Sequence, residues 1–133
     1  MKVVVDTNVV VSGVFFGGMP SRVLEAWRDR KIDLVVSPDI LEEYRRVGEH
    51  LEAQFADVSL APFLALLVMN AEIIEPPDLP DQVSRDQDDD KFIACALAGN
   101  CRFIISGDKD LLEVSGYQGV TVVAPREFLD SVL

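Results

Sequence analysis

Four short apolar runs constrain this chain more than anything else in it: KVVVD at 2–6, DLVVS at 33–37, RFIIS at 102–106 and VTVVA at 120–124. Each is a continuous block of β-branched and aromatic residues with no alternation of polar and apolar positions. Such blocks read as strands buried on both faces, the mark of a parallel sheet covered by helices. The stretches between them supply those helices. Residues 20–31 place Val23, Leu24 and Trp27 on one face. Ser37 followed by Pro38 is a helix start, with Ser as the cap and Pro at the first helical position. That helix runs through Ile40, Leu41, Tyr44 and Val47 to about residue 55. Residues 59–71 form a second, strongly apolar helix. Residues 76–81 (PPDLPD) are loop. Residues 89–99 are a helix with Gly99 as its C-cap, 108–114 are a short helix, and Pro125 opens a closing one. The predicted class is α/β: a three-layer α/β/α sandwich with a central parallel sheet of about four to five strands and right-handed crossovers. The 133 residues suit one domain over 1–133.

The topology says where acids collect. In a parallel α/β sheet, the carboxyl end of each strand and the amino end of the following helix share one edge, and ligands bind there near the topological switch point. Asp6 closes the first strand. Glu42 and Glu43 lie in the helix after the second, where Glu43 adjoins the core residues Leu41 and Tyr44 and Glu42 looks more exposed. Asp108 follows the RFIIS strand by two residues. The helix leading into that strand runs antiparallel to it, so its amino end returns to the same edge and carries RDQDDDKF (85–92). On α-helical spacing Asp90 shares a face with Ile93, Ala94 and Leu97, which makes it the inward acid. Asp86 and Asp89 are second choices, and Asp88 faces water.

Carboxylates gathered this closely cannot all stay ionised without a cation. Hard divalent ions take oxygen ligands, and Mg²⁺ commonly uses carboxylates together with water and substrate phosphate oxygens. Such ions can activate water and stabilise both the attacking and the leaving oxygen in phosphodiester cleavage. The chain offers little for other chemistries. Its single His50 lies among charged helix residues, and Cys95 and Cys101 form no metal or disulfide motif.

VVVDTNVVVSG, SPDILEEYRRV, DQDDDKFIACALAG and FIISGDKDLL, in that order over about residues 2–125, together resemble a PIN domain, in the branch of VapC-like toxin components of bacterial and archaeal toxin–antitoxin pairs. The resemblance implies a Mg²⁺- or Mn²⁺-dependent ribonuclease. Its four catalytic, metal-binding acids fall on Asp6, on Glu43 (the Glu preceding Tyr), on Asp90 and on Asp108. Thr7, Asn8, Ser106, Asp86, Asp89 and Asp110 are candidates for supporting roles: Thr7 and Asn8 in the turn after Asp6, and Ser106 as a residue that positions the attacking water. The resemblance also implies a basic antitoxin segment as partner, and a homodimer is expected.

Twelve basic and twenty-three acidic residues give a net charge of −11, which opposes non-specific RNA binding. A local basic rim of Arg28, Arg30, Lys31, Arg45 and Arg46 could still guide an RNA backbone. No apolar run approaches the ~18 residues of a membrane span, and the amino terminus shows no signal-peptide pattern. A reduced cytoplasm is therefore expected. Three rival readings fit the sequence less well. A receiver-like signalling domain wants paired acids after the first strand, and an Asp-nucleophile phosphatase wants Asp-x-Asp there; Thr7 and Asn8 disfavour both. A catalytically silent PIN fold that only binds a partner is opposed by the four acids.

Overall fold

The computed structural model describes residues 1–133. Five strands form one sheet: β1 (Lys2–Val5), β2 (Asp33–Val36), β3 (Glu72–Ile73), β4 (Phe103–Ile105) and β5 (Thr121–Val123). Their spatial order is β3-β2-β1-β4-β5, and every neighbouring pair is parallel. The α/β expectation therefore holds, with helices flanking the sheet in a three-layer arrangement. From β1 the chain steps outward through β2 to β3, then returns past its start to β4 and β5. The order reverses between β1 and β4, and that pair is the switch point.

The helices are α1 (Thr7–Phe15), α2 (Gly18–Arg28), α3 (Pro38–Glu52), α4 (Ala61–Asn70), α5 (Asp90–Ala98), α6 (Lys109–Glu113) and α7 (Pro125–Glu127), the last continued by a π-turn over Phe128–Val132. Ser37 caps α3 by accepting the Ile40 amide at 3.2 Å, with Pro38 next to it. No single helix is long and apolar enough to cross a membrane.

Two elements escape the sequence pattern. α1 has the sequence TNVVVSGVF, whose β-branched residues favour strands. It is helical because it must turn back from β1 and pack on α2. A Cβ at Gly13 would lie 2.7 Å from Leu24 Cδ1 and 2.9 Å from the Pro20 carbonyl oxygen, so only glycine allows that approach. β3 is two residues long and exposed, too short for any periodicity.

The core lies between sheet and helices. Val3, Val4, Val35, Ile104 and Ile105 are buried in the strands, and Tyr44, Phe92, Ile93 and Phe128 are buried against them. The Tyr44 hydroxyl donates to the Val5 carbonyl, tying α3 to the end of β1. α3 and α4 meet at Gly48, where a Cβ would strike Leu60 at 2.5 Å. Trp27 and Phe63, both half-buried, pack edge to face against the core, 5.6 Å between ring centres. Leu67 of α4 is buried, whereas Leu66, Val68 and Met69 remain exposed.

Candidate metal centre at the carboxyl edge of β1 and β4

The pairing of β1 with β4 builds the site. Val5 is in register with Ile105, so the next residues, Asp6 and Ser106, emerge side by side. The Asp6 amide donates to the Ile105 carbonyl at 3.0 Å and the Ser106 amide to the Val123 carbonyl at 3.0 Å, which fixes both backbones. The Ser106 hydroxyl donates to Asp6 Oδ2 at 2.6 Å and accepts the Asp108 amide at 3.0 Å. Ser106 and Asp6 are both buried. One hydroxyl thus couples the acid after β1 to the segment carrying the acid after β4.

Asp6 and Asp108 occupy the positions that precede α1 and α6, yet neither side chain caps its helix. Asp6 instead takes the Ser106 hydroxyl, and Asp108 lies against Asp89. Burial holds the Asp6 carboxyl above the usual carboxylate range; the Ser106 hydrogen bond pulls it down, and the charges of Asp108 and Glu43 raise it again.

The acidic run 86–90 divides differently from the prediction. Both oxygens of Asp90, the acid expected to face inward, are engaged by the backbone of the preceding loop. Its Oδ2 accepts the Val83 amide at 3.0 Å and its Oδ1 the Ser84 amide at 2.8 Å, so it closes the preceding loop. Asp89 is the member of the run that lies near Asp108, Asp86 and Asp6. The Asp89 carboxyl is pushed up to about 8, by burial first, then by a side-chain hydrogen bond with Asp108 and the charges of Asp108, Asp86 and Asp6. Asp89 Oδ2 is buried and meets no donor from the chain.

Two physical reasons account for the exchange. Residues Gln87–Asp89 form a 3₁₀ turn, not an α-turn, so angles extrapolated backward from α5 at α-helical spacing miss. And α5 is buried nearly all round: Phe92, Ile93, Ala94, Cys95 and Ala96 are all inside, so no single apolar stripe marks the inward face.

The remaining candidates are placed as follows. Glu43 approaches from α3. One of its oxygens accepts the Thr7 hydroxyl, and Oε1 pairs with Lys91 Nζ at 2.7 Å. Glu42 turns outward to Arg45. Ligand oxygens of Asp86, Asp89 and Asp110 lie within 4.8 Å of one another, so Asp110 and Asp86 extend the centre on its outer side. Asn8 is exposed and makes no side-chain hydrogen bond. Asp88 is exposed and pairs with Lys91 at 3.2 Å. Lys91 is the residue that sequence reasoning overlooked; its signal was a lone cation closing a run of four acids.

The basic rim does not form as expected. Arg28, Arg30 and Lys31 lead into β2 and so lie at the amino edge of the sheet, opposite the acids. Arg28 pairs with Asp29, and Arg45 is taken up by Glu42 and Glu49. Arg46, 3.8 Å from Glu43, is the member that stays near the centre. Beside the centre, and reaching as far as Lys91, opens a cavity of about 620 Å³ whose wall includes Asp39, Glu75, Asp78, Asp81 and Asp90.

The donor set of the centre is all carboxylate. It includes a buried oxygen with no partner and two carboxyls held above their usual range. That is the environment a hard divalent cation relieves, and the residues fit such an ion. The sequence profile described as PIN domain matches residues 2–110, a span that includes Asp6, Asp89 and Asp108. The chain belongs to the PIN domain family. An uncharacterized protein of Methanocaldococcus jannaschii is similar to it, 30% identical over 98% of this chain and 90% of the relative. PIN domains are generally nucleases that bind divalent metal ions, and membership supports a nuclease-like function for this chain.

Proposed function

We propose that this PIN domain protein is a divalent-metal-dependent endoribonuclease that hydrolyses RNA phosphodiester bonds. The observation that carries the reading is the buried, unpartnered Asp89 Oδ2 among Asp6 and Asp108 at the switch point between β1 and β4. In this proposal Asp6, Asp89 and Asp108 hold Mg²⁺ or Mn²⁺. When bound, such an ion supplies an activated water and charge neutralisation at the phosphate.

The chain's own residues do the rest. Ser106 fixes the Asp6 carboxylate through its 2.6 Å hydrogen bond, the kind of support that orients a ligand. Thr7 and Lys91 hold Glu43 on the flank of the centre. Asp86 and Asp110 add negative charge on the outer side. The Asp90 carboxylate, bound by the Val83 and Ser84 amides, sets the loop that delivers Asp89.

We further propose that the protein is the toxin half of a toxin–antitoxin pair in the cytoplasm. The net charge of −11 and the acid-walled cavity beside the centre support a basic antitoxin segment as its partner. The exposed Leu66, Val68 and Met69 of α4 support a homodimer.

The test is incubation of the purified chain, free of any partner, with structured RNAs and Mg²⁺ or Mn²⁺. The reading expects cleavage that needs the metal and stops with a chelator. Absence of cleavage on every RNA tested would favour a PIN fold that only binds.

A further inference from the structure

Lys91 is the one basic side chain enclosed by the acids of the centre. It is 18% exposed, with Nζ 2.7 Å from Glu43 Oε1 and 3.2 Å from Asp88 Oδ1. Glu43 is itself only 12% exposed. This is not a surface pair, whose partners would be free to separate into water. A largely enclosed ammonium needs its carboxylate, and the carboxylate needs it.

The two flanks of the centre therefore differ in kind. On the Glu43 flank both carboxylate oxygens are engaged: Oε1 by Lys91, Oε2 by the Thr7 hydroxyl. Arg46 adds a second positive charge 3.8 Å from Oε1. On the opposite flank Asp89 has a buried oxygen with no donor at all, and its neighbours are Asp108, Asp86 and Asp6. A divalent ion is drawn to unsatisfied oxygens and repelled by an ammonium already seated among them.

We propose that Lys91 is a built-in cation occupying the Glu43 flank, so that Glu43 holds Lys91 in place instead of ligating a metal, and divalent ions bind only on the side of Asp6, Asp89 and Asp108. The inference rests on the metal-dependent reading above and assigns Glu43 a different task within it. An ammonium has three donors. Two are spent on Glu43 and Asp88, and the third remains for a substrate phosphate oxygen, for which lysine is a common point-charge partner. Lys91 is thus a positioning residue toward the metal and a contact for the RNA backbone.

The experiment is calorimetric titration of Mn²⁺ into the metal-free full chain, with bound Mn²⁺ counted by electron paramagnetic resonance. Lys91→Met should take up one more Mn²⁺ per chain than the wild type, because Glu43 is released. Lys91→Arg should keep the wild-type number. Glu43→Gln should keep that number too, with affinity changed by less than the roughly tenfold expected when a group supporting a metal is lost. Equal ion counts in Lys91→Met and wild type would overturn the proposal. If Lys91→Met does not fold, Glu43→Gln decides alone: loss of an ion, or a tenfold or greater weakening, overturns it. Wild-type chain that binds Mn²⁺ in this pattern yet cuts no RNA would sink the nuclease reading and leave this inference standing. Wild-type chain that binds no Mn²⁺ would sink both.

Discussion

Asp89 and Asp90 are consecutive residues in two regions that treat a carboxylate in opposite ways. Asp90 faces the loop before α5, where the Val83 and Ser84 amides meet its two oxygens at 3.0 and 2.8 Å. Asp89 faces the sheet edge, where its neighbours are Asp108, Asp86 and Asp6 and where Oδ2 finds no donor. Backbone amides can satisfy both oxygens of a carboxylate by themselves. Carboxylates facing carboxylates must hold a proton or acquire a cation. One region therefore spends its charge on the fold and the other keeps it for a ligand. Acidic residues crowded in a sequence say nothing about which is which; the donors around each oxygen do.

The largest effects should fall on the second region. Asp6→Asn, Asp89→Asn and Asp108→Asn should each lower metal-dependent RNA cleavage by about a thousandfold or more, the scale of losing an essential electrostatic group in an active site. Asp90→Asn, which acts only through the loop that delivers Asp89, should cost far less than any of these in a single-turnover assay. Wild-type cleavage by Asp89→Asn would erase the contrast.

Stability should respond the other way round. Asp90→Asn disrupts two partly buried bonds to backbone amides and should lower the unfolding free energy by about 1–3 kcal/mol, measured by urea denaturation. Asp89→Asn relieves repulsion and should not destabilise the metal-free chain. Equal losses in the two variants would mean both carboxylates serve the fold.

Ser106→Ala sharpens the comparison from inside the site. It removes the hydroxyl that joins Asp6 to the Asp108 amide and should reduce Mn²⁺ affinity by roughly 10–100-fold, as for other groups that orient metal ligands. A change smaller than twofold would show that Asp6 is held by its backbone alone.

The smallest effect is a dependence on pH. Burial and the neighbouring acids push the Asp89 carboxyl up to about 8 from an ordinary value of 3.8. Between those values the folded state binds a proton that the unfolded state has lost. The resulting stability is complete below about pH 4 and declines as pH rises toward 8. The melting temperature of metal-free protein should carry this downward contribution, and Asp89→Asn or saturating Mn²⁺ should remove it. Identical pH profiles for Asp89→Asn and wild type would contradict the assignment.

The strands were readable because continuous β-branched runs such as KVVV and FII have few other uses. The location of the site was readable because parallel topology sends Asp6 and Asp108 to one edge whatever the details of packing. α1 was not readable: TNVVVSGVF favours strand locally, and its contact with α2 at Gly13 overrides that preference. The exchange of Asp90 for Asp89 lay beyond an α-helical wheel because the decisive residues sit in a 3₁₀ turn. The bases misled for a simpler reason. Arg28, Arg30 and Lys31 are close in sequence to one another, yet the strand-and-helix rule that gathers the acids sends these residues to the opposite edge. Lys91 was hidden by its neighbours, since a cation next to four acids looks like ordinary surface charge until Glu43, 48 positions away, is seen to meet it.

The most direct measurement is the anomalous signal of Mn²⁺ in crystals of the protein grown or soaked with that ion. The account predicts a peak coordinated by Asp6, Asp89 and Asp108, with Asp90 still bound to the Val83 and Ser84 amides and Lys91 still on Glu43. A peak coordinated by Asp90 with Asp89 turned to solvent, or no peak at saturating Mn²⁺, would contradict it.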